Sequence, residues 1–487
     1  MQAICHGHGG LELCDAGRVR IGYGSRVNAT SSPREAHPVD SVGGTAGGGV
    51  PGSLHKNAPA VVGAILLTIL LSLALRSSAR EEAGPWLLAS YLACGVWWVV
   101  LVRTAPIASR RKTFVIALLL RVAFSIPQPL LSADVYRYLW DGNASKSGMN
   151  PYARSPDDPA VASLREDWHA QINHAEVPTI YPPYAQLFFL LASAGGSLVA
   201  WRLLLLLAEI VTLHSLLEID HSNRLAVLYA TCPMVLVEGF WSAHVEVVAV
   251  TFLVTSLAAM RRGSEKRAAV LAGIAVGIKL SPLAAVPAIL FRAKERRGFA
   301  AWLALALFLP ALPFLGRPFM LGVVEYATRW SFNSAAYDLA VFVERQTALA
   351  ERAKRFWTAV KDPLEAERIS RFVYERLYPE MIARCLLGLT ALVLILYFSR
   401  RAVTLERSIM LSLATLLLLS PVIHPWYWLI TIPFALMSRS RTTLWLATLS
   451  PLSYLLYGDP SLKWWVLLMC YGVPFAAAAM SLSRGRR

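Results

Sequence analysis

Between residues 58 and 483 the chain is a series of apolar segments joined by short, mostly basic connections. The segments run at about 58–76, 84–102, 112–128, 198–218, 224–240, 243–260, 268–280, 282–291, 299–315, 381–399, 408–422, 426–438, 442–457 and 464–483. No soluble core could absorb that much apolar surface in separate pieces. In hydrocarbon a backbone must bond to itself, which leaves helices for segments of this kind. The expectation is an all-α polytopic transmembrane helical bundle of about 12–14 spans. Several segments fall short of the ~20 residues a full crossing needs, so adjacent pairs such as 268–280 with 282–291 are read as broken helices. Tyr184–Ala194, after Pro182-Pro183, is read as an interfacial or re-entrant helix.

Composition agrees: 56% of residues are hydrophobic, 16% are charged, and the mean hydropathy is +0.48. The net charge of +16 invites a nucleic-acid reading. Yet the Lys and Arg residues collect in the joints between apolar segments, as topology signals do, so no nucleic acid is expected as a partner. The six cysteines form no CxxC pair, which argues against a structural disulfide or zinc site. No metal or other cofactor is expected. Residues 1–55 are rich in Gly, Ser and Pro and lack an apolar run; they are read as a disordered tail, with the membrane domain over 56–487.

If the basic clusters at 103–112, 261–267, 292–297, 400–407, 439–441 and 484–487 all face the cytoplasm, the spans alternate without contradiction. The connections 129–183 and 316–380 then lie outside, the second as a small cap that includes a helical stretch over Ala348–Lys361. Four polar and aromatic patches fall on that same side: Asp134–Gly142, Trp241–Glu246, Lys279–Pro282 and His424–Trp428.

The densest patch is Asp134-Val-Tyr-Arg-Tyr-Leu-Trp-Asp141-Gly142. On a helix, Asp134, Arg137, Tyr138 and Asp141 share one face, which can offer a base, a cation and hydrogen-bond donors to one substrate. Asp134 is the first candidate for a general base and Asp141 the second; the alternative is a solvated interfacial helix. Further on, the proline-punctuated 172–183 loop carries His174, Glu176 and Tyr181 as positioning candidates.

Arg202, Glu209, His244, Glu246 and Lys279 lie in or at the ends of apolar segments, where each ionisable group costs about 2.5–3.5 kcal/mol. Arg202 and Lys279 would suit a phosphate, against snorkelling or an internal ion pair as the alternative. His424 and Trp426 fit either a membrane-interface girdle or a platform for a sugar ring. No Walker A or HExxH pattern is present, so an activated donor must come from elsewhere.

The succession Ser132-Ala-Asp134-Val-Tyr-Arg-Tyr-Leu-Trp-Asp141-Gly142, Asn150-Pro-Tyr152, Ile180-Tyr-Pro-Pro183, His244-Val-Glu246, Lys279-Leu-Ser-Pro282 and His424-Pro-Trp-Tyr427 resembles the GT-C superfamily of integral-membrane glycosyltransferases. Within it the chain is most similar to glycosyltransferase family 87 and the polyprenyl-phosphate-mannose-dependent mannosyltransferases, over about 110–480. The resemblance implies inverting transfer of a hexose, mannose by preference, from a polyprenyl-phosphate donor to a glycan or lipid acceptor. It also implies an aspartate of the first outer loop as base, a role that passes to Asp134 with Asp141 second. A bacterial inner membrane, with the site on its periplasmic face, is implied too. The sequence departs from the family at His244-Val245-Glu246, where relatives often carry Asn-Asp after the histidine, and it lacks an Asp-x-Asp metal pattern. The rival readings are a transporter or flippase of a lipid-linked glycan, and a ligase that moves a preassembled glycan.

Overall fold

The computed structural model describes residues 53–77, 84–102, 109–195, 197–314, 319–360 and 378–484. The expected N-terminal tail lies outside them except for its last residues, which already belong to the first helix. Among the described residues the protein is all-α, 79% helical and without strands; Phe332 and Val422 form one isolated parallel bridge.

In chain order the first helices are α1 (Ser53–Ser77), α2 (Gly84–Leu101), α3 (Arg110–Phe124), α4 (Asp134–Lys146), α5 (Pro183–Ala194), α6 (Leu198–Ile219), α7 (Arg224–Ala230), α8 (Glu246–Arg261) and α9 (Glu265–Ile278). They are followed by α10 (Val286–Leu290), α11 (Arg296–Phe308), α12 (Leu321–Arg329), α13 (Ala335–Thr347), α14 (Leu349–Val360), α15 (Pro379–Arg401) and α16 (Leu405–Leu419). Shorter turns of helix complete the chain to Arg484.

Among the described residues five helices are long and apolar enough to cross a membrane, Gly84–Leu101, Leu198–Ile219, Arg296–Phe314, Pro379–Arg401 and Pro460–Met480, and the bent pair Arg224–Ala230 with Val235–Trp241 makes a sixth if it is one span. Several of the other apolar segments are broken, and each of these breaks has a proline, whereas 243–260 and 408–422 form the single helices α8 and α16. The 224–240 segment, expected as one span, bends by 59° between α7 and a π-helical turn over Val235–Trp241, where Pro233 can neither donate a backbone bond nor fit the preceding turn. Pro282, Pro433 and Pro451 mark the corresponding breaks at 279–282, 425–437 and 441–458. Such breaks are tolerated at membrane depth only where protein shields the backbone. The 235–241 turn is buried throughout.

The core is built around α8, twelve of whose sixteen residues are buried. Only a helix surrounded by other helices can be apolar on every side. It packs on α6 and on α9, whose buried Ala268, Ala269, Ala272 and Ala275 allow the close approach common in membrane bundles. One charged pair is enclosed in this core: Arg121 reaches Glu209 at 2.7 Å, both fully buried, and also bonds the Ala230 carbonyl.

At sixteen residues, α8 separates its ends by about 24 Å. At the Arg261 end, the Arg261 guanidinium bonds Glu406 at 2.6 Å and Arg292 bonds the carbonyls of Ser399 (3.1 Å) and Ala402 (2.7 Å). The Glu265 carboxylate accepts from the Lys294 and Glu295 amides. Three of the basic clusters, 261–267, 292–297 and 400–407, therefore gather at one end of α8. Glu246, at the other end, is paired with Lys279.

Helix α4 lies tightly on α5, and Gly142 is the reason it can. A Cβ at Gly142 would collide with the Phe189 carbonyl and sit 3.2 Å from Ser193 Cβ. Gly142→Ala is accordingly expected to destabilise the protein by about 1–3 kcal/mol, the usual penalty of overpacking, visible as a lowered Tm in detergent; an unchanged Tm would mean that the α4–α5 contact is looser than this.

Candidate active site

The sequence places Asp134 in the first turn of α4, where an acidic side chain is favoured by the helix dipole, and Ser132 Oγ accepts from the Asp134 amide at 3.3 Å. The predicted shared face forms, but its members divide between two tasks. Arg137 Nε bonds Asp141 Oδ1 at 3.0 Å, one turn along the helix. Asp141 Oδ2 accepts from Thr179 Oγ1 at 2.5 Å and Gln186 Nε2 at 3.0 Å. Asp141 is thus fully buried with both oxygens occupied, and braces α4 against the 179–186 segment. Tyr138 is buried as well, stacked on Phe189 at 4.8 Å.

Asp134 and Arg137 instead open onto a cavity of about 670 Å³. Its other walls include Asn173, His174 and Tyr181, then Lys279, then Tyr326, Arg329, Trp330 and Phe332, and finally His424, Trp426, Tyr427 and Tyr457. Leu130, Leu131, Val177, Pro178 and Ile180 supply apolar surface. The Asp134 side chain is 17% exposed. Asn173 Nδ2 donates to its Oδ1 at 3.1 Å, and His244 Nδ1 stands 3.8 Å from its Oδ2. Burial pushes the Asp134 carboxyl up to about 6, partly offset by the positive charge of Lys279 and reinforced by the negative charge of Glu246. Such a group is ionised near neutrality yet more basic than an ordinary carboxylate, as a general base requires.

Lys279 ends α9 in an extended conformation, so its side chain leaves the helix axis. Its ammonium lies 2.7 Å from Glu246 Oε1 and over the rings of Tyr427 (4.9 Å) and Tyr181 (5.3 Å). His424 is stacked between Trp426 at 4.4 Å and Phe332 at 4.6 Å, and His244 stacks on the far face of Trp426 at 4.2 Å. His174 lines the cavity with a left-handed backbone, φ 48°, its ring 3.9 Å from that of Trp330.

Of the residues singled out from sequence, Asp134, Arg137, His174, Tyr181, Lys279, His424 and Trp426 line this one cavity, and His244, Tyr138 and Glu246 stand directly behind it. Glu176 points to solvent and pairs with His174 at 3.4 Å. Arg202 does not reach the cavity: its Nη2 bonds the carbonyls of Pro127 at 2.7 Å and Trp241 at 3.1 Å. It fastens the end of α6 to two chain turns. Asp141, a braced and enclosed carboxylate, likewise does not line the cavity.

Sequence reasoning missed the contribution of 326–332. Gly322 lets the start of α12 approach the carbonyls of Pro178 and Thr179, Tyr326 bonds Tyr427 hydroxyl to hydroxyl at 2.7 Å, and the Phe332–Val422 bridge ties this segment beside His424. The aromatic cluster Tyr326-Ala-Thr-Arg-Trp330-Ser-Phe332 was the available signal. Also missed was Glu238, a fully buried carboxylate inside the apolar run Val235–Trp241; an ionisable residue in such a run is a site candidate on principle. Among the described residues no group of three or more His, Cys, Asp or Glu side chains is placed to hold a metal ion.

Residues 44–294 match the family model described as alpha-(1->6)-mannopyranosyltransferase, N-terminal domain, and residues 179–421 match that of glycosyltransferase family 87. No curated protein and no solved structure matches the chain. The two models together span the cavity walls from Leu130 to Phe332. His424, Trp426, Tyr427 and Tyr457 lie beyond them.

Proposed function

The chain belongs to the alpha-(1->6)-mannopyranosyltransferase family, and on that premise we propose that it transfers mannose from a polyprenyl-phosphate donor to a hydroxyl of a glycan or lipid acceptor, with inversion at the anomeric carbon and Asp134 as general base. Family membership favours transfer over transport. The observation that carries the reading is the placement of Asp134 and Lys279 on the walls of one cavity. The base takes the acceptor proton as the hydroxyl oxygen attacks, while the bond to the phosphate breaks and its electron pair leaves with the phosphate. Lys279 and Arg137 stabilise that developing charge. Arg137 Nη2 is buried and has no partner within the protein, so a phosphate oxygen would satisfy it.

The apolar surroundings support a lipid-borne donor. Leu130 lines the cavity and is exposed; Ile126, near Leu130 in the chain, and Leu280 and Leu283, next to the cavity-lining Lys279, are exposed too. Such surface suits a prenyl chain that stays in the bilayer while its headgroup enters. The aromatic wall of His424 and Trp426 suits the C–H face of a sugar. With the basic clusters on the cytoplasmic side, the cavity opens at the extracytoplasmic face of the membrane.

Purified protein in detergent, given labelled polyprenyl-phosphate mannose or a nucleotide-linked mannose with a mixture of glycan acceptors, is expected to use only the lipid-phosphate donor and to give a product of inverted configuration by NMR. Because Asp134 must be ionised to accept a proton, the rate should rise with pH through about 6 and level off above it. Transfer from the nucleotide donor alone would overturn the donor assignment, and a retained configuration would overturn the mechanism.

A further inference from the structure

Glu238 has no part in the chemistry described so far, yet the fold invests two irregularities in presenting it. It sits in the π-helical turn Val235–Trp241, a geometry frequent at functional sites. Three residues beyond that turn stands His244, and the residue before it, Ala243, adopts a left-handed conformation with φ 59°. A non-glycine residue held there stores strain that surrounding structure must impose. The Ser242 and His244 amides close the turn onto the carbonyls of Val237 and Glu238 at 2.8 and 3.2 Å. The result is that one imidazole stands between two carboxylates. Its Nδ1 is 3.8 Å from Asp134 Oδ2 and its Nε2 is 3.7 Å from Glu238 Oε2.

The hydrogen-bond partners define the direction of this chain. Tyr138 Oη lies 3.4 Å from His244 Nδ1, and a hydroxyl donating there selects the tautomer with the proton on Nε2, facing Glu238. His244 Nε2 has no hydrogen-bond partner at the observed spacing, so a sub-ångström approach of Glu238 would complete the bond. Glu238 itself receives the hydroxyls of Tyr91 at 3.2 Å and Tyr454 at 2.9 Å, one on each oxygen. The two donors compensate a buried carboxylate for lost water. The remaining ionisable groups around the imidazole are Lys279, from the end of α9, and His424, behind Trp426; Glu246 stands beyond Lys279.

We propose that Glu238 and His244 are positioning residues for Asp134, forming a buried relay that takes up the proton Asp134 removes from the acceptor. The proton passes from Asp134 to His244 Nδ1 while the Nε2 proton passes to Glu238. Glu238 closes the sub-ångström gap to Nε2 and the Tyr138 hydroxyl turns its proton away from Nδ1, and Asp134 is left ionised beside the newly formed glycosidic bond. This rests on Asp134 as the base.

The test is the pH profile of transfer by the full-length protein, run for wild type, Asp134→Asn and Glu238→Gln. The relay requires Glu238 to be ionised at rest, so its replacement by a neutral amide lets Asp134 ionise more readily and deprives the proton of its destination. The rising limb of the Glu238→Gln profile should therefore move to lower pH by about half a unit or more, with kcat down roughly tenfold and KM within about twofold. A purely structural Glu238 would lower the rate without moving the limb, and that result overturns the relay. Should Glu238→Gln fail to fold, Tyr454→Phe removes one donor from the same carboxylate and is read identically, with a smaller shift in the same direction expected and an unmoved limb again decisive. If Asp134→Asn keeps its activity, it is the base assignment that fails, so the two failures are distinguishable.

Discussion

Asp134→Asn should abolish sugar transfer, lowering kcat by roughly 10³-fold, within the range that a positioned general base contributes. The substitution replaces one oxygen by an NH2 group and leaves the shape of the cavity intact. The new amide oxygen can still accept from Asn173 Nδ2, now 3.1 Å from Asp134 Oδ1, so the 173–181 wall should keep its place. Binding of the lipid-phosphate donor, measured with labelled donor in the absence of acceptor, should be nearly unchanged, because Lys279 and Arg137 are untouched. The loss is therefore expected in kcat rather than KM. Asp141→Asn is the natural contrast. Asp141 holds Arg137, Thr179 and Gln186 together, so its loss should be felt first in thermal stability. An Asp134→Asn protein that retains transfer within tenfold of wild type would remove Asp134 from the mechanism.

Much of this site was legible in the sequence because the chemistry is rare in its surroundings. In a chain of Leu, Ala and Val, a cluster such as Asp134 to Asp141 stands out, and so do Lys279 beside Pro282 and His424 before Trp426. Positive-inside threading placed those clusters on one face, and the structure brings them around one cavity. The bundle itself was legible from the length and spacing of the apolar runs, including the broken helices, since the prolines are visible. What the sequence did not show was which members of a patch face the cavity. Helical periodicity put Asp134 and Asp141 on the same face, but Thr179 and Gln186, far along the chain, decide that Asp141 is enclosed. The place of Arg202 outside the cavity was hidden for a similar reason. Its partners are the backbone carbonyls of Pro127 and Trp241, and a free carbonyl at a chain turn leaves no mark in residue type. Glu238 stood out as a carboxylate in an apolar run, but the π-helical turn that brings it to His244 leaves no mark in residue type.

Lys279→Met should be nearly as damaging as the loss of the base, for two reasons that one further substitution separates. Lys279 is the partner of Glu246, which is buried, and removing one member of a buried pair typically costs about 3–5 kcal/mol because the other charge is stranded. It is also the cation best placed to meet a departing phosphate, and loss of one such electrostatic contact costs about 10²–10³ in kcat. The double variant Lys279→Met with Glu246→Gln removes the stranded charge. Its Tm should return close to that of wild type while transfer stays about 10²–10³ below. Rates are best compared near pH 8, because the Lys279 charge holds the Asp134 carboxyl down and its loss pushes that group further up; well above about 6 the base is still ionised in every variant. A double variant that regains both stability and transfer would reduce Lys279 to a counter-ion for Glu246. A double variant that regains stability alone would assign Lys279 to the leaving phosphate, and with it the polarity of the whole cavity: base on the α4 wall, leaving group at the end of α9, and the sugar between them.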